Sequence, residues 1–146
     1  PEEATLVLEG HLDRALAEVE RLGIDPSFAS ALDRLKEIVR WAMRVQLAGE
    51  MPSLPSQNST LRSALMSNKA YIDRLMQLSD VLGAWIVAAQ QAGSLEPSLP
   101  PEVVLYTLYA KGCDPVLTLL KAGGSYDDER IVSMLVQACF GGLQQR

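Results

Sequence analysis

The stretch KAYIDRLMQLSDVLGAWIVAAQQAG, residues 69–93, carries Tyr71, Ile72, Leu75, Met76, Leu78, Leu82, Trp85, Ile86 and Ala89. These recur three and four positions apart, which gathers side chains along one side of an α-helix instead of alternating them across a strand. The apolar sector is wide, so burial on more than one side is expected. Gly93 is placed to end the helix as a C-cap.

The same period extends outward in both directions. From Glu2 to Leu22 it runs Leu8, Leu12, Ala15, Leu16, Val19 and Leu22, with Glu2 and Glu3 at the end where the helix dipole favours negative charge and Gly23 as the expected stop. Asp25-Pro26 then reads as an N-cap with first-turn proline, opening a helix through Phe28, Leu32, Leu35, Ile38, Val39, Ala42 and Val45 to Gly49. Residues 50–58, EMPSLPSQN, have no period and form a loop, after which Asn58 or Ser59 caps a short helix through Leu61, Leu65 and Met66.

Downstream, Pro101 opens a helix carrying Val103, Val104, Leu105, Tyr106, Leu108 and Tyr109. Gly112-Cys113-Asp114-Pro115 interrupts it, a short helix follows from Val116 to Lys121, and Gly123-Gly124 stops that one. Ser125 to Asp128 reads as a capping box with aspartate in place of glutamate, opening a last helix through Ile131, Met134, Leu135, Ala138, Cys139 and Phe140. No stretch alternates like a strand. The expected fold is all-α, an antiparallel bundle of about six to seven helices in a single domain over 1–146.

Composition agrees with a globular chain: 48% of the 146 residues are hydrophobic and 21% charged. Aromatics are only 5%, so the core must be built from aliphatic side chains and Met. Thirteen basic residues scattered among 18 acidic ones, net charge -5, make this stretch a poor binder of nucleic acid by itself. Cys113 and Cys139 lie 26 positions apart without a CxxC and are expected as free thiols. With no leader and no unbroken apolar run of spanning length, a cytoplasmic location without membrane contact is expected. The opening on Pro1 suggests sequence upstream that is not represented here.

Catalytic and metal patterns are nearly missing. His11 is the sole histidine, flanked by Glu9, Gly10 and Asp13, and reads as a solvated surface residue. Without a second histidine no His-based metal cluster forms, and a Ser or Cys nucleophile would need His11 brought to it from far away in sequence. Asp127-Asp128-Glu129 belongs to a helix's first turn, and the Gly pairs at 123–124 and 141–142 lack any phosphate-loop context. Asn58-Ser59-Thr60 is a chance sequon. No enzyme activity, catalytic residue, metal or cofactor is expected.

Large pliable or polar-tipped residues collect elsewhere. Trp41, Met43, Met66, Tyr71, Met76, Trp85, Tyr106 and Tyr109 fall between positions 41 and 109 and are missing from the first helix, which suggests a small-molecule cavity among the central helices. On the last helix Ile131, Leu135, Ala138 and Gly142 make a stripe with Met134 and Gly141 alongside, a candidate self-complementary surface.

These segments, in this order, resemble the regulatory domain of TetR-family transcriptional regulators. The carrying stretches are AWIVAAQQAGSLEPSLPPEVVLYTLYA (84–110), with the turn Gly93-Ser94-Leu95-Glu96-Pro97, and GGSYDDERIVSMLVQACFGGL (123–143), closing on Gly142-Leu143. The start, EEATLVLEGHLDRAL, resembles the helix that follows such proteins' helix-turn-helix head, which this chain lacks. The resemblance implies an effector-sensing and homodimerising domain, of a repressor in the first instance. It implies a small apolar or amphipathic effector bound at Trp41, Met66, Tyr71, Met76, Trp85 and Tyr106. It further implies a dimer interface over about 101–143 using Val104, Leu108, Ile131, Met134, Leu135, Ala138 and Gly142, with operator DNA reached only through the missing head. The Cys113–Pro115 break then modifies the dimer edge or shapes a pocket mouth. Two other readings compete: a stand-alone helical module that binds protein through an exposed groove, and an enzyme with His11 in a cleft.

Overall fold

The computed structural model describes residues 2–50 and 66–143, with side chains from Leu6 onward. Its elements are α1 (Glu2–Ile24), a 3-10 turn (Pro26–Phe28), α2 (Ala31–Leu47), α3 (Lys69–Gln91), α4 (Pro101–Gly112), α5 (Pro115–Gly123) and α6 (Asp128–Gly141). The described residues contain no strand, and the fold is all-α. The loop over 51–58 and the short helix through Leu61 and Leu65, with its cap at Asn58 or Ser59, lie outside the described residues.

Local chemistry accounts for most boundaries. Proline lacks an N–H and drives the residue before it out of helical geometry. Asp25 is accordingly extended at φ -77°, ψ 118°, so Pro26 stops α1 and the helix runs through Gly23 to Ile24. Asp25 does accept from the Ser27 N–H at 2.9 Å, yet it caps only a single 3-10 turn. Ser30 is the cap of α2, its hydroxyl accepting from the Asp33 N–H at 3.1 Å. At α6 the capping box sits two residues later than its sequence pattern suggests. Asp127 accepts from the Arg130 N–H at 2.8 Å, and with arginine at the third helical position no reciprocal acceptor exists. Gly49, Gly93 and Gly124 adopt φ between 72° and 79°, the left-handed geometry that stops α2, α3 and α5.

The centre of the molecule is α2, which contacts each of the other α-helices. Leu35, Ile38, Val39, Met43 and Leu47 are buried along it. The charges of this helix are kept on one flank, where they pair, and leave its apolar face free to take the centre. Glu37 bonds Arg40 and Arg44, and Arg44 reaches Glu129 of α6 with Nε and Nη2 at 3.0 and 3.2 Å. The long helix α3 buries a single stripe, Leu78, Leu82, Ile86 and Ala89, and leaves Met76 and Val87 outside. It packs against α1, α2 and α4, with Tyr71, Leu75, Val81 and Trp85 partly buried beside the stripe, while α2 is the element that touches all the others.

Two tethers set the other end of the fold. The Gln90 amide donates to the Glu96 and Leu99 carbonyls at 3.1 and 2.8 Å, holding the α3–α4 turn. The Glu96 N–H donates to the Leu143 carbonyl at 2.9 Å, with Leu95 and Leu143 both buried there. The two stretches singled out in sequence, 93–97 and 142–143, thus meet in space.

Candidate functional site

Helices α1 to α4 leave a cavity of about 260 Å³ between them. That exceeds the ~150 Å³ cavity that takes up benzene and approaches the ~300 Å³ at which ordinary ligand pockets begin. Leu8, His11, Leu12 and Ala15 of α1 form one wall, and Ile38, Val39, Trp41 and Ala42 of α2 another. Tyr71, Leu75, Leu78 and Leu82 line it from α3, with Leu108, Tyr109 and Cys113 from the end of α4 and its break.

Chain direction fixes which groups share a level. The Asn68 amide donates to Glu9 at 2.7 Å and Arg74 pairs with Asp13, so α1 and α3 run parallel in register at this end. The Tyr109 and Ser79 hydroxyls bond at 2.7 Å, and α4 therefore returns antiparallel along α3. Gly112 allows α4 to close on α2; a Cβ there would stand 3.2 Å from the Ala42 Cβ.

His11 is the unexpected member. Its ring stacks on Trp41 with centroids 5.3 Å apart and planes at 22°, and the Arg14 guanidinium lies 5.8 Å from the Trp41 centroid. The Nδ1 atom is buried without a hydrogen-bond partner among the described residues. The reading of His11 as a solvated surface residue is overturned. Its polar sequence neighbours point to other faces of α1, whereas residue 11 falls between Leu8 and Ala15 on the apolar stripe. The signal that marked it was helical position; residue-by-residue flanking hid it.

Every titratable group on the wall is pushed toward its neutral form. Burial, and after it the Arg14 charge, pulls the His11 imidazole below its usual 6.5. Burial pushes the Tyr71 and Tyr109 phenols and the Cys113 thiol up, only partly offset at Tyr109 by the Ser79 bond. Among the described residues, no Asp, Glu, Lys or Arg lines the cavity. Burial favours the thiol form of Cys113, against the thiolate character of a nucleophile. Both cysteines are free, Cys139 buried and Cys113 half-buried. Among the described residues no group of three or more His, Cys, Asp or Glu is placed to hold a metal ion.

Of the six residues expected at a ligand, the structure brings Trp41 and Tyr71 to the cavity. Met66, Met76 and Tyr106 are 66%, 60% and 65% exposed and are corrected to surface positions. Trp85 is half-buried away from the cavity, with the Arg34 guanidinium 5.8 Å from its ring centroid. The cavity is also not confined to helices spanning 41–109, since α1 and the Ile38-Val39 pair supply much of the wall. The Leu and Ala of the first helix carry no residue-type signal of a ligand wall; only their place on the helix face marks them.

The expected dimer residues divide similarly. Val104, Leu108 and Ile131 are buried in this chain's own core and are corrected as surface contacts; Met134 and Leu135 are half-buried, and Ala138 and Gly142 are exposed. The exposed apolar side chains of the region are Val103, Tyr106, Val116 and Leu119. They belong to Pro101–Gly123, which by length and its mean hydropathy of 1.2 could cross a membrane, although the Cys113–Pro115 break divides it into α4 and α5.

No family model matches the chain, and neither a curated protein nor a solved structure matches it.

Proposed function

We propose that this chain is a ligand-sensing domain that takes a small apolar molecule into the cavity between α1 and α4, the effector-binding part of a regulator of the TetR kind. The observation that carries the reading is the cavity itself, about 260 Å³, partly open to the surface, with a mainly aliphatic and aromatic wall and a few polar tips. Apolar wall left facing water at an open cavity forgoes the free energy of burial, and an apolar ligand that covers it gains that burial. The sensing part of the proposal rests on α1, which supplies Leu8, His11, Leu12 and Ala15 to the wall. In the resembling regulators this helix follows the DNA-binding head, so a ligand touching it has contacts that differ between two head positions. The meeting of Glu96 and Leu143 supports the same reading, since it joins the two stretches that carry the resemblance.

Indole, titrated while the methyl signals of the wall leucines are followed by NMR, tests the proposal. Saturable shifts at Leu12, Leu78 and Leu108, abolished in Ala15→Leu, are expected. Wall signals unmoved by millimolar indole would remove the reading.

A second reading attaches to the surface of Pro101–Gly123, where only Val104, Leu105, Leu108, Gly112 and Leu117 are buried. Its Val103, Tyr106, Val116 and Leu119 would be covered by a second copy of this chain. Sedimentation equilibrium of the wild type and Tyr106→Glu decides it: a dimer that the variant dissociates supports the pairing, and a monomeric wild type ends it.

A further inference from the structure

We propose that a proton on His11 and an apolar ligand in the cavity exclude one another, so that the domain holds its ligand at neutral pH and releases it on acidification. This rests on the cavity-binding reading above and supplies its regulation.

The geometry of the wall sets up the competition. The His11 ring lies on Trp41 with centroids 5.3 Å apart, and its Nδ1 atom is buried with no partner among the described residues. A neutral imidazole has one N–H, whereas the imidazolium has an N–H on both nitrogens. The cation therefore places a charged donor at Nδ1, where no acceptor stands, and an orphaned charged donor costs more than a neutral one. The protonated ring has to leave the stack to find water or an acceptor. That takes a side chain out of the α1 wall between Leu8 and Ala15.

No charge around the ring favours the cation. On its own helix Arg14 stands beside the same Trp41 ring and opposes the proton, while Glu9 and Asp13 are held by Asn68 and Arg74 of α3. Arg14 in turn pairs with Glu50 at 3.0 Å. From α2 the ring meets the uncharged face of Trp41, and Glu37 one turn earlier is bonded to Arg40 and Arg44. Tyr71 of α3 and Tyr109 and Cys113 of the α4 end share the cavity wall with it, each pushed further toward its neutral form by burial.

A ligand adds to this. The cavity is partly open, so water reaches its wall when it is empty. An apolar molecule lying against the imidazole displaces that water and disfavours the charged form further. The bound domain thus takes up the proton more weakly than the free one, and by linkage the protonated domain binds the ligand more weakly by the same factor. Affinity is full above the His11 pKa of the free domain, itself below the usual 6.5, and falls as pH drops through it.

Because His11 is the sole histidine, its Cε1–H signal in NMR reports the protonation directly. The wild type is titrated from about pH 8 to one unit below the observed midpoint, without and with saturating indole, which stays uncharged throughout. Indole affinity is read by calorimetry over the same range on the wild type, Arg14→Gln and His11→Phe. Saturating indole should lower the His11 midpoint, and wild-type affinity should fall below the free-form midpoint by up to about tenfold per pH unit. Arg14→Gln should move that fall to higher pH, because the charge that opposes the proton is gone. His11→Phe alters the wall and has an affinity of its own, but that affinity should not fall with pH. A midpoint unmoved by indole, or a wild-type affinity as high below the midpoint as at pH 8, overturns the coupling and leaves the cavity reading standing. Indole that binds at no pH overturns both.

Discussion

Replacing His11 with phenylalanine should stabilise the empty protein. A phenyl ring keeps the stack on Trp41, now 5.3 Å between centroids, and the cavity beside it accommodates the small added volume. What disappears is a buried nitrogen without a partner. An orphaned polar atom costs about 1–3 kcal/mol, and the lower end applies because His11 is only partly buried as a residue. The gain is therefore about 1 kcal/mol at pH 7.5, equivalent to roughly 3 °C in Tm for a chain of this size. The pH dependence follows from the same group. Its folded pKa lies below the usual 6.5, so the unfolded chain binds the proton first as pH falls. Wild-type stability must then decline from about pH 7 through 6.5 toward the lowered folded value, and the phenylalanine variant lacks this loss. Urea unfolding at pH 7.5 and 5.5 measures both effects, with an unchanged m-value as the check that neither end state has altered. A variant less stable than wild type at both pH values, or one that loses as much stability as wild type between them, would refute the placement of His11.

Other perturbations probe the frame around the site. Met43→Ala empties the fully buried middle of α2 and should cost about 2–5 kcal/mol in urea unfolding. Arg44→Met breaks the two-pronged contact with Glu129, but both side chains are well exposed, so the loss should stay under about 0.5 kcal/mol and vanish in 1 M salt. Gly124→Ala meets no neighbour within 4 Å yet stands at φ 72°, so the cost of about 1–2 kcal/mol is purely backbone and should appear in thermal unfolding without any change in helix packing.

Periodicity and turn chemistry were enough to find nearly every described helix, because a 3.6-residue repeat and a proline or glycine stop act through nearest neighbours. Pro101, Asp114-Pro115 and Gly124 lie where those rules put them. The misplaced boundaries at Gly23, Asp25 and Ser125 are places where two local signals compete a few residues apart, and the stronger backbone constraint wins. The site was less legible. Trp41 and Tyr71 were reachable as large residues on inner faces, but Met66, Met76 and Tyr106 have the same character and face outward. An apolar sector wider than the contact it makes always leaves some large side chains outside, and the sequence does not say which edge is covered.

What the sequence determined alone is therefore the local part: all-helical secondary structure, the stops, and the free cysteines. Tertiary structure decided what depends on partners distant in the chain. It made α2 the enclosed helix by packing its apolar face against all the other helices, with Glu37, Arg40, Arg44 and Glu129 pairing on the flank left outside. It buried Ile131 and Val104 in the chain's own core. It set α1 in register beside α3 and so turned His11 from a presumed surface residue into a cavity wall. The reason is physical: a helix's period shows that it has an apolar face, while the direction and register of its neighbours decide which part of that face meets protein, space or water.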